Sequence, residues 1–347
     1  MGLKEHRAAY LVFFVFLGLV FLTLVTAVIT DGPKLLAVVG DLKMGPFLFA
    51  LSAAAVSYLS IALSFSALFE LTRFKIRFQT MFSITFVATT FNYVVSTAGA
   101  SSLAVRSYLL KQHKVPYSTT LPLSIAQSMI TNVILAVFCL GGLFYLRRHP
   151  EMVSGAERAV IGLVAILLLV AVCAILMVFI HAKSRDVILD LGIRLLGRVG
   201  RHAFKEKLTP DRLKVFRHGL VESIQLLHGG WIQLLVALFW IAVDWGFTAL
   251  CLYFCFEAVG VKLSFGLVLV GFSVAFLTST LNIIPAGLGI TEMAVTGTYL
   301  HLMDVAPAKA VVATLLFRVS YFLFPLAVST ALYLETMKKA FKIDKNK

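Results

Sequence analysis

The sequence predicts an all-α polytopic membrane protein with about six full spans and two oppositely oriented re-entrant helical hairpins, arranged as an inverted repeat. The 347 residues are 60% hydrophobic and only 14% charged, and the mean hydropathy is +0.93. Several apolar runs exceed the roughly 20 residues that a helix needs to cross the hydrocarbon core. Basic residues lie mainly in the loops beside these runs, which is typical of loops that set membrane topology.

Nine apolar segments follow one another along the chain, at 8–29, 46–69, 79–98, 119–146, 159–181, 231–256, 264–283, 288–303 and 308–334. Lys4 and Arg7 precede the first segment, as they would precede the core of a signal peptide. That segment is too long for such a core, however, and no small-x-small cleavage site follows it. We expect it to be a retained span, and residues 1–347 to form a single transmembrane domain.

The segment 182–229 is the one sizeable polar stretch, and it contains two amphipathic helical patterns. The second pattern opens with Thr209 as N-cap, Pro210 at the first helical position and Asp211 in the first turn. We expect these helices to lie on the cytoplasmic leaflet, where basic side chains bind anionic headgroups. The alternative is a specific lipid-binding or regulatory site.

The distribution of lysine and arginine fixes the predicted topology. The segments 182–229 and 335–347 carry ten and five of these residues, so both should be cytoplasmic, as should both termini. Residues 79–112 must then leave the cytoplasm and return to it, whereas 264–305 must enter from the outside and return there. The first re-entrant repeat is therefore predicted at 79–146 and the second at 264–334.

The two predicted hairpins also resemble each other in sequence. The stretch "FNYVVSTAGASSLAVRSYLL" aligns without gaps with "LNIIPAGLGITEMAVTGTYL", and the alignment matches Asn92 with Asn282 and Gly99 with Gly289. Inverted repeats whose broken helices meet near the bilayer midplane are a recurring plan among transporters.

Helix-breaking residues at membrane depth mark the tip of the second hairpin. Pro285, Gly287 and Gly289 can end one half-helix and permit the turn. The second half-helix should begin near Gly289–Thr291, where its amide groups and dipole would favour an anion. In the first hairpin, Ser101 and Ser102 are expected to line the equivalent tip.

Three charged residues within the apolar segments are candidate site residues, because charges at membrane depth are costly. Arg318 could contact a lipid phosphate, with Glu292 and Asp244 holding it or engaging a cationic headgroup. The structural alternative is an ion pair of Arg318 with Glu292 or Asp244 that only orders the fold. For Asp244, the structural role is the favoured one.

Further polar residues complete the predicted site. Arg106 lies one helical turn beyond Ser102, where it could reach a headgroup or extend to the membrane interface. Asn92 and Asn282 are candidates to contact substrate, although capping or joining the hairpins is the simpler role. Gln127 could line the cavity, but hydrogen bonding between helices is the favoured role.

The motifs "FNYVVSTAGASSLAVRSYLLKQHKVP", "LNIIPAGLGITEMAV" and "LLFRVSYFLFP" resemble the lysylphosphatidylglycerol synthetase transmembrane-region family, the flippase-like domain. The resemblance covers nearly the whole chain. It implies movement of a polar-headed lipid between leaflets, in the inner (cytoplasmic) membrane of a bacterium. Many relatives carry an acidic residue shortly before the arginine of the first motif, where this chain has serines. No soluble aminoacyltransferase domain follows the last predicted span, so we do not expect the chain to make aminoacylated lipid itself.

The predicted function is a flippase or scramblase that moves a polar-headed, phosphate-containing lipid without ATP. The alternatives are a secondary transporter of a small soluble solute and a non-catalytic partner of a lipid-modifying enzyme. An enzyme is not expected, because Asp244, Glu292 and Asp304 are isolated in the sequence and His301 has no basic neighbours.

The sequence predicts no cofactor and no metal. The expected partners are membrane lipids, with anionic headgroups at the cytoplasmic face. A lipid-modifying enzyme and a second copy of the chain are further candidates. Although the formal net charge is +14, we expect no nucleic-acid partner, because the basic residues accompany membrane spans.

Overall fold

A computed structural model describes residues 32–95, 100–180, 229–281, 289–303 and 305–330, together with the single positions 221 and 332. Within these residues the fold is entirely helical. The predicted first span at 8–29, most of the predicted amphipathic segment at 182–229 and the tail at 335–347 lie outside the described residues, as do Pro285 and Asp304.

Ten α-helices are described: α1 (Gly32–Gly40), α2 (Met44–Phe69), α3 (Phe78–Val95), α4 (Ala100–Gln112), α5 (Tyr117–Arg148), α6 (Gly155–Ile180), α7 (Trp231–Ala258), α8 (Phe265–Leu281), α9 (Ile290–Met303) and α10 (Pro307–Arg318). A 3₁₀ turn (Pro150–Met152) joins α5 to α6. The chain continues from α10 through a π-helical turn, Val319–Leu323, into a further helical stretch that reaches Thr330.

Five of the described helices are long and apolar enough to cross a membrane, at Met44–Phe69, Tyr117–Arg148, Gly155–Met177, Trp231–Ala258 and Pro307–Thr330. They coincide with five of the six predicted spans, and the sixth lies outside the described residues. The last of them begins with Pro307 at its first helical position, where a missing N–H costs nothing. The chain is therefore a multi-pass membrane protein.

The order of a long helix, two short helices and a long helix occurs twice. Helices α2 to α5 form the first set, and the second consists of α7, α8, α9 and the helix that continues from α10 to Thr330. The later helices of the two sets correspond in position: the offset from Ala100 to Ile290 equals the offset from Tyr117 to Pro307. The same offset separates Asn92 from Asn282, so this spacing agrees with the internal similarity predicted from the sequence.

The two leading helices of these sets, α2 and α7, pack along each other at the centre of the fold. Small side chains allow this close approach, as in other membrane helix pairs. The buried face of α2 consists largely of such residues: Ala50, Ala53, Ala54, Ser57, Ser60 and Ser64.

Helix α6 differs from the others because most of its side chains are exposed. Val160, Leu163, Ile166 and Val170 are each 59–60% exposed. An apolar surface of this kind suits contact with lipid tails, so α6 lies at the edge of the bundle, where it packs against α5.

Glycines bring the short helices close to their neighbours. A Cβ atom at Gly142 on α5 would lie 2.6 Å from the backbone oxygen of Leu269 on α8, and one at Gly271 on α8 would overlap the hydroxyl of Tyr299 on α9. These contacts hold α8 between α5 and α9, and thereby position the start of α9.

Candidate functional site

An ion pair joins the start of α9 to the end of α10. The Nε of Arg318 lies 2.5 Å from Oε1 of Glu292, and the two side chains are only 15% and 10% exposed. Of the two carboxylates considered as partners for Arg318, the structure thus pairs it with Glu292. The guanidinium also lies 5.9 Å from the ring centroid of Phe322.

The second carboxylate oxygen of Glu292 caps its own helix. The backbone N–H of Gly289 donates to Oε2 of Glu292 at 2.8 Å, as in a capping box in which the third helical residue reaches back to the N-cap. Gly289 has a φ of +84°, a conformation that glycine adopts without steric cost. The N-terminus of α9, which was predicted to favour an anion, therefore already interacts with a carboxylate of the chain itself. Thr291, in the first turn of α9, is buried.

A π-helical turn follows Arg318 directly. Residues Val319–Leu323 form this turn, and such turns inside α-helices often occur at functional sites. Because the extra residue rotates the helix, Arg318 is directed to Glu292, while Tyr321 is directed to a separate polar cluster around Asp244.

Arg106 on α4 is buried, with 4% of its surface exposed. Its Nη1 donates to Oε1 of Gln127 at 2.6 Å, and its guanidinium lies 4.0 Å from the ring centroid of Phe65. The side chain is therefore held inside the protein, against α2 and α5. Within the described residues, its Nε has no hydrogen-bond acceptor, and no carboxylate forms an ion pair with it.

Gln127 holds Arg106 in place from α5. Its Nε2 donates to the backbone oxygen of Ile61 on α2 at 3.1 Å, and Oγ of Ser64 lies 3.5 Å away. The predicted role of Gln127 in hydrogen bonding between helices is confirmed. The bond also turns the acceptor oxygen of Gln127 towards the guanidinium.

A side-chain hydrogen bond connects α3 to α4, which are the first pair of short helices; α8 and α9 are the second pair. Ser101 Oγ on α4 donates to Oδ1 of Asn92 on α3 at 3.0 Å, and the neighbouring Ser102 is half-buried. Asn92 thus joins these two helices, as its simpler predicted role requires. Asn282 and Gly287, the corresponding candidates in the second pair, lie outside the described residues.

Asp244 lies in a cluster of hydroxyl groups. Its Oδ1 accepts a hydrogen bond of 2.5 Å from Ser57 Oγ, which in turn lies 3.1 Å from Thr248 Oγ1 and 3.5 Å from the Tyr321 hydroxyl. The hydroxyls of Tyr321 and Tyr93 are 3.0 Å apart. Asp244 is 1% exposed, and no described lysine, arginine or histidine forms an ion pair with it.

Sequence reasoning missed four members of this cluster: Ser57, Tyr93, Thr248 and Tyr321. A serine on a small-residue face is ordinarily a packing residue, so Ser57 gave no signal of its own. Thr248 is one helical turn after Asp244, however, and Tyr321 is one turn after Arg318, and this spacing was visible in the sequence.

The polar side chains of the candidate site do not form a metal-ligand cluster in the described part of the chain, since no three histidine, cysteine, aspartate or glutamate side chains come together there as metal ligands would. The polar groups instead form three separate sets: the Glu292–Arg318 pair, the Arg106–Gln127 pair and the Asp244 hydroxyl cluster. In these three sets, only Arg106 carries a positive charge that no carboxylate of the described chain offsets.

A search of curated proteins finds no match to this chain. The family described as "Lysylphosphatidylglycerol synthase TM region" matches residues 15–329, which include all ten described α-helices. The chain therefore belongs to the lysylphosphatidylglycerol synthase transmembrane-region family.

Proposed function

We propose that the protein is a flippase or scramblase that moves a phosphate-containing lipid between leaflets without ATP and without chemical change to the lipid. The observation that carries this proposal is the buried guanidinium of Arg106, which has no carboxylate partner in the described part of the chain. A buried charge is costly unless an opposite charge or hydrogen bonds offset it. A lipid phosphate would supply both.

The two arginines differ in what they offer such a headgroup. Arg318 is already neutralised by Glu292, so a phosphate would have to compete with that carboxylate. Arg106 is held by a neutral amide and an aromatic ring, and both leave its charge intact. Its Nε has no acceptor in the described part of the chain, and a guanidinium matches phosphate in geometry as well as charge. Arg106 is therefore the proposed phosphate contact, and Glu292–Arg318 the pair that orders the second helix pair.

The architecture and the family support a lipid substrate. The short helix pairs α3–α4 and α8–α9 lie among helices long enough to span the membrane. Broken half-helices of this kind line the substrate sites of many transporters. The family name refers to a synthase of a phospholipid, which favours a lipid over a soluble solute.

We further propose that the two pairs are re-entrant and opposite in orientation, with both termini in the cytoplasm of a bacterial cell. Single cysteines introduced at Lys114 and at Met303, in a background without the four native cysteines, would test this. Labelling by an impermeant reagent is expected from the cytoplasmic side at position 114 and from the outer side at position 303. Labelling of both positions from one side would contradict the inverted arrangement.

A liposome assay tests the transport function. The purified full-length protein is reconstituted with a trace of phosphatidylglycerol that is labelled on its headgroup, and the labelled fraction exposed to an external quencher is followed over time. Movement is expected for this lipid and not for a labelled neutral glycolipid that lacks phosphate.

The matched variants are Arg106→Gln and Arg77→Gln. Arg77 is exposed just before α3, so its loss should leave the rate unchanged. Loss of a charge-assisted hydrogen bond costs about 1.5–3 kcal/mol, so Arg106→Gln should lower the rate about tenfold or more. Equal rates of lipid movement for both variants would show that Arg106 does not contact the transported lipid. Uptake of a soluble solute without lipid movement would instead support a secondary transporter of a small soluble solute.

A further inference from the structure

The environment of Asp244 has no role in the proposed lipid contact. Asp244 lies near the middle of α7, about 20 Å along a helix that can span the membrane. It is 1% exposed. An ionisable group at this depth indicates a functional site by default.

The titratable side chains around Asp244 in the described structure are tyrosines and cysteines. Tyr58 comes from α2, Tyr93 from α3 and Tyr321 from the π-helical turn, and the thiols of Cys251 and Cys255 lie further along the buried face of α7. The nearest cation along the chain on these elements, Arg318, is engaged by Glu292. The charge of an ionised Asp244 would therefore be offset only by hydroxyl dipoles.

We propose that Asp244 is a proton-binding site and that the hydroxyls of Ser57, Thr248, Tyr321 and Tyr93 form the path along which the proton reaches it. A hard metal cation needs several oxygen ligands spread around it. Here the oxygens instead contact one another: Ser57 Oγ lies 2.5 Å from the Asp244 carboxyl and 3.1 Å from Thr248 Oγ1. Hydroxyls packed in this way can both donate and accept, as proton transfer requires.

The cluster includes a residue of the first helix pair and is linked to the second pair through the Glu292–Arg318 ion pair. Tyr321 belongs to the turn that directly follows Arg318, whose partner Glu292 caps α9. Tyr93 is next to Asn92, which joins α3 to α4. Gain of a proton gives the Asp244 carboxyl a donor, so that it can donate to Ser57 as well as accept from it, and the hydrogen bonds of the cluster can then rearrange. A proton at Asp244 would thereby favour one arrangement of the pairs over another.

Proton binding can be measured without any transport. Infrared spectra of the purified full-length protein are recorded over a pH range above about 6, where exposed carboxyl groups are already ionised, and the carbonyl band of a protonated carboxyl group is followed. This band is expected to titrate in the wild type and in Glu257→Gln, which removes a half-buried carboxylate from the end of α7. It is expected to be lost in Asp244→Asn.

A second measurement does not depend on the folding of that variant. In wild-type protein with isotopically labelled aspartate, the titrating band should shift in frequency, and in Ser57→Ala its midpoint should move, because Ser57 donates directly to the carboxyl. A band that stays unshifted by the label, or that persists in Asp244→Asn, would overturn the proton site.

The coupling of this proton to lipid movement rests on the proposed function and has its own test. In the liposome assay, a pH gradient is expected to change the rate of lipid movement in the wild type and in Glu257→Gln, and this response should be lost in Asp244→Asn. Lipid movement that responds to a sodium gradient but not to a pH gradient would overturn the coupling. If the carboxyl titrates while no lipid moves, the proposed lipid function fails and the proton site stands.

Discussion

Tyr299 on α9 packs directly against Gly271 on α8, and its hydroxyl donates to the backbone oxygen of Leu267 at 3.2 Å. Tyr299 is fully buried, so it has no space to move away. The packing of α8 against α9 therefore requires glycine at position 271, because any larger side chain would overlap Tyr299.

Replacement of Gly271 by alanine should destabilise the protein by about 1–3 kcal/mol, because the added methyl group overlaps the ring of Tyr299. The matched control is Gly297→Ala on α9, where a Cβ would meet nothing within 4 Å. Alanine there should leave stability unchanged or raise it by about 0.5–1 kcal/mol. Thermal unfolding of the detergent-solubilised protein would show this as a lower Tm for Gly271→Ala alone. A similar Tm for both variants would contradict the close packing.

The Glu292–Arg318 pair should give a non-additive double-mutant cycle. Glu292→Gln leaves the guanidinium of Arg318 mostly buried without its carboxylate, and loss of one member of a buried pair costs about 3–5 kcal/mol. The double variant Glu292→Gln/Arg318→Met removes both charges, so its Tm should lie above that of Glu292→Gln alone. Additive decreases in Tm would show that the two side chains do not interact.

The Asn92–Ser101 hydrogen bond should stabilise the first helix pair by about 0.5–1.5 kcal/mol. Asn92→Ala and Ser101→Ala are therefore expected to lower Tm slightly, and the double variant should lower it by less than the sum of the two. Ser102→Ala, at the half-buried neighbouring position, serves as control. The prediction fails if Ser102→Ala and Ser101→Ala show the same coupling to Asn92→Ala.

Gln127→Leu tests how Arg106 is held. The substitution keeps the side-chain volume but removes the acceptor of the Arg106 Nη1 and the donor to Ile61. A buried donor left without a partner costs about 1–3 kcal/mol, and more when it is charged, so Tm should fall. Ser128→Leu, at the half-buried next position, is a control of the same helix. An unchanged Tm for Gln127→Leu would mean that Phe65 alone positions the guanidinium.

Much of the fold could be predicted because membrane spans have a strong one-dimensional signal. The predicted span at 231–256 corresponds to a helix at Trp231–Ala258, and the break predicted before Gly289 precedes a helix that begins at Ile290. Glycine with positive φ and proline at a first helical position are local features of the sequence. Such features need no knowledge of the partner helices.

The site was harder to predict because partner choice depends on packing. Both Glu292 and Asp244 were reasonable partners for Arg318, and the rotation of the π-helical turn decides between them by directing Tyr321, not Arg318, to Asp244. Hydropathy likewise gives no information on which face of a helix is buried. Ser57, the direct partner of Asp244, could not be distinguished in the sequence from the packing serines beside it.

The two sets of helices are not equal in length. The chain from Phe78 to Ala100 in the first set is shorter than the chain from Phe265 to Ile290 in the second, so the second set holds additional residues before its later short helix begins. Two identical sets in opposite orientation would offer the same binding path to a substrate from either leaflet. If the two sets are the opposed halves of a lipid carrier, as proposed above, the additional residues remove that equivalence, and the two leaflets then face different release paths.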